Sequence, residues 1–213
     1  MKKHAEEHVK FCCSAWHFEI LMKKHAERDV KQLGKQQFVG ATDSIRRGAI
    51  MPGKLRNMTA IYLFKGDKVL LLFRQGGSVV NNVWTGSAGG HFEEFELNDA
   101  KACVLRELNE ELGLGESDIQ NLSLRYVTLR RTNGEIRQNY YFFAGIKESI
   151  SDDLVSNEGK VKWFSVKEIG DLEMPYTAKY VVEHYCSIGQ FTDKLYAGVT
   201  NENGVEFIEL PEF

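Results

Sequence analysis

Three glutamates fall within five residues of one another in the segment RELNEELG, residues 106–113. Glu107, Glu110 and Glu111 share one side of a predicted helix, since residues three and four apart are neighbours on a helix surface. Hard carboxylate oxygens that converge in this way suit Mg²⁺ or Mn²⁺, which in turn would neutralise a phosphate-rich substrate. The alternative is a solvated charged face with an Arg106–Glu110 pair, whose energetic cost is small.

The segment before this helix favours the ligand-binding interpretation. WTGSAGGHFEEFE, residues 84–96, places three glycines and a serine between a predicted strand and the helix. Glycine-rich backbone lets carbonyls and amides approach a ligand closely. We therefore expect oxygen and nitrogen atoms of this loop to lie beside the acidic turn.

The helix itself is predicted over about residues 98–112. Asn98 is a good N-cap with Asp99 in the first turn, and Gly113 resembles a C-terminal glycine stop. At 100° per residue, an apolar arc lies beside the acidic arc. That arc contains Leu97, Val104, Leu105, Leu108 and Leu112. The glutamates should therefore sit at the margin of the buried face.

The remaining pattern is mostly that of antiparallel hairpins. LRNMTAIYLF and KVLLLFRQ are joined by KGD, and two further strand pairs surround Asn133-Gly134 and Asn203-Gly204. A strand, VKWFS, and a second helix at about 176–188 after Pro175 follow. Strand pairs interleaved with two helices predict an α+β domain whose helices cover a mixed sheet.

Composition bounds the class of protein. The 213 residues contain no run approaching the roughly 20 apolar residues of a membrane span, and the start lacks a secretory signal. The four cysteines form no CxxC motif, which favours reduced thiols in a cytoplasmic protein. A net charge of −3 argues against a nucleic-acid polymer as partner.

The first fifty residues differ from the rest, because they carry ten Lys or Arg against six Asp or Glu. MKKHAEEHV at residues 1–9 recurs as MKKHAERDV at 22–30. We predict that residues 1–50 form a basic leader, helical or disordered, or lie ahead of the natural start, since Met51 and Met58 also suit that role. Residues 51–213 then form the catalytic domain with its C-terminal hairpin.

GGHFEEFELNDAKACVLRELNEELGL, residues 89–114, resembles the Nudix box, G-x5-E-x7-R-E-U-x-E-E-x-G-U with U aliphatic. Residues 106–114 match every specified position, and Gly90 with Glu96 supplies the G-x5-E. Nine residues separate Glu96 from Arg106 in place of seven, so the loop before the helix is expected to be two residues longer. The resemblance implies the Nudix fold, an α/β/α sandwich with a mixed β-sheet between helices.

The resemblance also implies a reaction. Nudix hydrolases cleave a nucleoside diphosphate linked to another moiety by attack of water on phosphorus, with Mg²⁺ or Mn²⁺. Glu107, Glu110, Glu111 and the carbonyl of Gly90 would hold the metal, and one glutamate would act as base. Arg106 would orient a box glutamate through a charge-assisted bond.

Substrate contacts are less specified. Arg74, at the end of a strand, is a candidate phosphate contact or else a surface arginine. Trp84 and Tyr140 are candidate base-stacking residues, although alternating aromatics in hairpins more often form core. By analogy the substrate is a nucleoside triphosphate, including oxidised ones such as 8-oxo-dGTP as in MutT-like enzymes. The partner is then a small nucleotide, and related folds are often homodimers.

Two alternatives remain open. VWTGSAGGH resembles the WTNSVCGHP segment of isopentenyl diphosphate isomerases, with Gly89 in place of their cysteine and His91 in place of their histidine. A Nudix domain that binds nucleotide or a protein without catalysis is the other, with the basic leader as an interaction arm. Such binders are expected to lose box glutamates, whereas all three are present here, and the intact pattern favours hydrolysis.

Overall fold

The computed structural model of the chain describes residues 53–75 and 82–213, and the statements below concern those residues. The predicted leader, residues 1–50, lies outside them. In the described part, no helix is long and apolar enough to cross a membrane.

Eight strands form one mixed sheet, and two α-helices accompany it. The strands follow the order β3-β2-β1-β5-β4-β7-β8, with β6 paired to β2. Pairs β1–β5 and β4–β7 are parallel, and the other pairs are antiparallel. The elements are β1 (Lys54–Lys65), β2 (Lys68–Arg74), β3 (Val83–Thr85), α1 (Ala100–Leu112), β4 (Ile119–Thr132), β5 (Glu135–Ile146), β6 (Gly159–Ser165), α2 (Tyr176–Ser187), β7 (Leu195–Asn201) and β8 (Gly204–Leu210).

The three predicted hairpins are present. Asn133 and Gly134 have φ of 50° and 76°, the two positive values that a type I′ turn requires. In the C-terminal hairpin Asn201 pairs with Gly204, so the turn consists of residues 202–203 and Gly204 begins β8. The absence of a side chain at Gly204 has a packing reason, because an added Cβ would lie 3.3 Å from the Tyr180 ring.

The sheet is buried on both faces. Because side chains alternate across a strand, Ile61 and Tyr62 of β1 point to opposite sides. Ile61 belongs to a core with Val104 and Leu108 of α1, and Tyr62 to a core with Val181 of α2. This arrangement explains the continuous apolar runs of the central strands and confirms the predicted α/β/α sandwich.

Helix α1 begins one residue later than predicted. Asp99, not Asn98, is the N-cap, since its Oδ1 accepts a 2.9 Å hydrogen bond from the backbone N–H of Ala102. Gly113 ends the helix with φ 68° and donates its N–H to the Asn109 carbonyl, as predicted. The prediction for Leu97 is wrong: it is 55% exposed because it precedes the helix, where helical periodicity does not apply.

The cap assignment predicts a difference between two neighbouring alanine variants. Asp99→Ala should lower the free energy of unfolding by about 1 kcal/mol, because the Ala102 N–H loses its acceptor. Asn98→Ala should change it by a few tenths of a kcal/mol or less, on the order expected for an exposed position. Urea denaturation of both variants measures this. Equal losses would contradict the assignment.

Candidate active site

The glycine-rich loop runs alongside β1, which fixes its position. Backbone N–H groups of Thr59 and Ile61 donate to the carbonyls of Gly90 and Ala88 at 2.8 and 2.9 Å. Gly89 has φ 149°, and a Cβ there would overlap the carbonyl oxygen of Thr59. A residue with a side chain therefore does not fit at this position without a backbone shift.

Helix α1 presents its glutamates to this loop. Glu111 Oε2 accepts a 3.0 Å hydrogen bond from the Gly89 N–H. The Glu107 carboxylate occupies the space that a Cβ of Gly90 would fill. The structure therefore brings Gly90, Glu107, Glu110 and Glu111 to one cavity of about 620 Å³, here called the acidic cavity. Its other lining residues are Arg74, His91, Phe92, Glu93, Arg106, Asn157 and Glu158.

Arg106 connects the acidic turn to the loop. Its guanidinium donates to both carboxylate oxygens of Glu96, at 2.7 and 2.9 Å. Nη1 donates to Glu107 and to Glu110, both at 2.9 Å, and Nη2 donates to the His91 carbonyl at 3.0 Å. Bidentate pairing of this kind fixes the relative orientation of the two side chains in addition to strengthening their contact. Arg106 thus orients two box glutamates.

Glu96 is the partner whose role the longer loop had left undefined. It is 1% exposed, and the hydrogen bonds from Arg106 hold its pKa at about 2, below the ordinary value of 4.5. A short 3-10 turn, Glu94–Glu96, delivers it, and its Oε2 also accepts the N–H of Glu93. The two extra residues therefore lengthen the loop without removing this contact.

Burial raises the pKa of two glutamates in the acidic cavity, Glu107 and Glu111, and brings that of Glu111 to about 7. Arg74 faces Glu111: its Nη2 donates to Glu111 Oε1 at 3.3 Å and to Glu158 at 3.1 Å. Asn157 donates to the Glu110 carbonyl at 2.9 Å. No sequence pattern pointed to Asn157 and Glu158, which lie in a polar loop before β6.

The donor set suits a hard divalent cation. Three glutamates and Gly90 line one cavity, and carboxylate and carbonyl oxygens are what Mg²⁺ and Mn²⁺ prefer. Across residues 53–75 and 82–213, however, no three His, Cys, Asp or Glu side chains converge closely enough to hold a metal as they stand. The reason is visible, because Arg106 binds Glu107 and Glu110 while Arg74 binds Glu111. The chemistry of these donors fits the ion, while their present positions are those of carboxylates paired with arginine.

A second cavity of about 490 Å³ adjoins the first and shares Arg74, His91, Glu111 and Glu158 with it. It lies on the α2 side of the sheet, and most of its lining residues differ from those of the acidic cavity. Several residues line this second cavity but not the acidic cavity, among them Arg56, Tyr62, Arg130, Arg137, Asn139, Tyr141 and Thr177. We call it the arginine cavity.

Two of the predicted substrate contacts lie elsewhere. The Trp84 ring packs against Phe73 and Phe164, with centroids 4.9 and 4.6 Å away. Tyr140 packs against Phe92, at 5.3 Å, on the α1 side. Neither Trp84 nor Tyr140 lines the acidic or the arginine cavity, whereas Arg74 lines both. A stacking role for the two aromatics stays a prediction, and their packing favours a core role.

The geometry also bears on isomerase chemistry. A cysteine at position 89 would meet the Thr59 backbone, so the site lacks room for the thiol that such isomerases use. Cys103 lies nearby, with its Sγ 3.3 Å from Thr59 Oγ1. Its thiol is fully buried, and burial raises its pKa to about 11. A thiol of that pKa is a poor proton donor or acceptor for catalysis at neutral pH.

Comparison with known proteins identifies the family of the chain. The sequence profile of the NUDIX domain matches residues 54–185, more than half of the chain. The chain belongs to the Nudix family. As a Nudix hydrolase it is similar in fold to the mutator MutT protein from Bacillus halodurans, with 23% identity and a TM-score of 0.51 over 74% of this chain and 99% of that one.

Two other solved structures share the fold of this Nudix hydrolase. The ORF135 protein of E. coli has 21% identity and a TM-score of 0.51, over 67% of this chain and 96% of its own. The MutT protein from Methanosarcina mazei Go1 has 16% identity and a TM-score of 0.53, over 65% and 98%. No curated protein matches the chain significantly. At identities this low, the likeness shows a shared fold alone.

The Glu96–Arg106 pair predicts a stability effect. Glu96→Gln should lower the free energy of unfolding at pH 7 by on the order of 2 to 4 kcal/mol, because removal of one partner leaves a buried charge poorly compensated. Glu94→Gln is the matched control, since Glu94 is exposed. Denaturant unfolding of both variants gives the comparison.

The pH dependence of that effect has a defined sign. Because the folded pKa of Glu96 is lowered, its contribution is complete above pH 4.5 and is lost as pH falls toward about 2. The stability difference between wild type and Glu96→Gln should therefore shrink across this range. A difference that stays constant from pH 7 to pH 2 would show that the ionised pair is not its origin.

Proposed function

We propose that this Nudix hydrolase uses Mg²⁺ or Mn²⁺ to hydrolyse nucleoside diphosphates linked to another moiety. A nucleoside triphosphate, including an oxidised one of the 8-oxo-dGTP type, is the first candidate substrate, and the reaction is that of a pyrophosphohydrolase. The observation that carries the proposal is that Glu107, Glu110, Glu111 and Gly90 line one cavity. The structural neighbours named for MutT support this choice of substrate class by analogy.

The residues of the acidic cavity have different roles in this proposal. A bound divalent cation would supply positive charge to the diphosphate and make the attacking water more acidic. Glu111, fixed by the Gly89 N–H, and Glu107, packed on Gly90, are placed to hold the cation or to accept a proton from water. Arg106 keeps the Glu107 and Glu110 carboxylates on the cavity side of the helix.

Arg74 is the candidate phosphate contact. It lies where the two cavities meet, and its guanidinium pairs with Glu111 and Glu158. A guanidinium has five donors in a planar fork, so Arg74 retains N–H groups for a phosphate oxygen while it holds a carboxylate.

The proposal extends to the setting of the reaction. The partner is a small nucleotide rather than a nucleic-acid polymer or a membrane, and the protein acts in the cytoplasm, consistent with free Cys103 and Cys186 in the described chain. Assembly as a homodimer and the division into a leader, residues 1–50, and a catalytic domain, residues 51–213, belong to the same proposal.

Turnover tests the proposal directly. Phosphate and product release should be measured with canonical and oxidised nucleoside triphosphates, nucleoside diphosphate sugars and dinucleotides, with Mg²⁺ or Mn²⁺ and with chelator. We expect activity that depends on metal, and a loss of about 10²- to 10⁴-fold in kcat for Glu111→Gln, the range of general-base catalysis.

Glu116→Gln is the matched control for this variant. Glu116 is exposed, pairs with Lys101 on the surface, and lines neither cavity. It should keep wild-type turnover. If no compound turns over while nucleotide still shifts the melting temperature, the non-catalytic binding alternative gains and the hydrolase proposal fails.

Two adjacent glycines predict opposite kinds of damage. In Gly90→Ala the new methyl group meets the flexible Glu107 carboxylate, so the protein should fold normally and lose at least about tenfold in kcat/KM through displacement of a ligand. In Gly89→Ala the methyl group meets the Thr59 backbone at a positive φ, so stability should fall by on the order of 1 to 3 kcal/mol. Thermal unfolding and steady-state kinetics of both variants separate the effects, and equal melting temperatures would contradict this account.

A further inference from the structure

Three arginines stand in a row across the sheet, at one end of the arginine cavity. Arg56 of β1 is directly opposite Arg137 of β5, and Arg137 is directly opposite Arg130 of β4. All three line the arginine cavity, so they share the α2 face of the sheet. Like charges directly opposite one another on a sheet are destabilising. Such a row therefore calls for a counter-charge.

The described chain supplies only part of that counter-charge. Glu135 pairs with Arg56 at 3.4 Å and with Arg137 at 3.5 Å. Arg130 lies over the Tyr176 ring, 5.6 Å from its centroid, and forms no ion pair with a described residue. At this end of the cavity two guanidiniums thus share one carboxylate, and the third has no carboxylate partner among the described residues. Arg74, the fourth arginine of the wall, is already paired with Glu111 and Glu158.

Buried polar atoms without a hydrogen-bond partner occur in the same region. Arg137 Nε is buried and lies 3.5 Å from Glu135 Oε2 without hydrogen-bond geometry, so neither atom has a hydrogen-bond partner among the described residues. The hydroxyl of Tyr62 is in the same condition, although Tyr62 is fully buried. Buried polar groups are normally satisfied, and exceptions point to a missing partner. Arg137 and Tyr62 are both among the residues that line the arginine cavity.

We propose that the arginine cavity binds a phosphate monoester carried by the nucleoside part of the substrate, away from the diphosphate that lies in the acidic cavity. The inference rests on the proposed function for the position of the diphosphate. A dianionic phosphate matches several guanidinium forks, which bind its oxygens in a bidentate manner. The preferred substrates are then nucleoside diphosphate derivatives with an additional 2′- or 3′-phosphate.

The geometry separates this group from the diphosphate itself. Gly89 contacts both Thr59 and Glu111, so Thr59 marks the position of the acidic turn along β1. Arg56 is three residues away on the same strand, which corresponds to roughly 10 Å at the rise of an extended chain. One phosphate anhydride is shorter than that distance. By its backbone position the row is therefore suited to a second anionic group on the same molecule, while Arg56 and Arg137 also act on His91, whose pKa burial and these arginines lower.

Binding without turnover provides the first arm of the test. Calorimetry compares the binding of adenosine 3′,5′-bisphosphate and guanosine 3′,5′-bisphosphate with that of AMP and GMP. The measurements are made in the presence of chelator, on wild type and on Glu111→Gln. Wild type should bind at least one bisphosphate about 10- to 100-fold more tightly than its monophosphate, the range for charge-assisted hydrogen bonds. Arg130→Met and Arg56→Met should reduce that ratio to near one.

Arg131→Met is the matched control. Arg131 follows Arg130 on β4, is exposed, and lines neither cavity, so its replacement removes the same charge from the other face. It should keep the wild-type ratio. Arg130→Met should melt no lower than wild type, because it relieves like-charge repulsion, which excludes misfolding as the cause of lost preference.

The second arm is turnover of coenzyme A against dephospho-coenzyme A, and of NADP against NAD, with Mg²⁺. A higher kcat/KM for the phosphorylated member, lost in Arg130→Met, supports the inference. Equal affinity for bisphosphate and monophosphate in wild type overturns it, as does an equal loss in Arg131→Met. Hydrolysis without phosphate preference refutes the inference alone, whereas preference without hydrolysis of any diphosphate refutes the proposed function alone.

Discussion

The guanidinium of Arg106 is the contact on which the arrangement of the active site depends. It joins a buried carboxylate from the loop, Glu96, to two carboxylates of α1, Glu107 and Glu110, and to the His91 carbonyl. Taking Glu96 out of water is costly, and the bidentate pair offsets that cost because the geometry is close to ideal. The same contact that keeps the loop folded therefore also sets the direction of the glutamates.

The second constraint is the backbone ladder between the glycine loop and β1. Hydrogen bonds from Thr59 and Ile61 hold the loop at van der Waals distance from the strand. At Gly89 and Gly90 the available space is used by the Thr59 backbone and by the Glu107 side chain. The site thus rests on a strand and a helix rather than on a free loop, which favours fixed positions for its charged atoms.

Much of this could be predicted from the sequence because the signals are local. Helical spacing of Glu107, Glu110 and Glu111, and the Asn133-Gly134 turn, depend on residues within a few positions of each other. Errors arose where a local pattern met an element boundary, as at the N-cap, where Asp99 and not Asn98 accepts the Ala102 N–H.

Contacts between different strands of the sheet could not be predicted from the sequence. The row of Arg56, Arg130 and Arg137 depends on the register of a parallel pair, β1 with β5, and of an antiparallel pair, β4 with β5. Register is fixed by the packing of both faces and by bulges in β4, which no short segment encodes. Glu158 reaches Arg74 from a loop 84 positions away in sequence, with no periodicity to indicate it.

Two adjoining cavities of opposite charge have a consequence for catalysis. The carboxylates of the acidic cavity repel a phosphate chain unless a cation lies between them. Arginines beyond the reacting group can attract the substrate without that cation, and binding energy from a remote part of the substrate can orient the diphosphate for attack. Arg74 and Glu111 stand at the boundary as an ion pair. Because a guanidinium has five donors, Arg74 can bind a phosphate oxygen while it stays paired with Glu111.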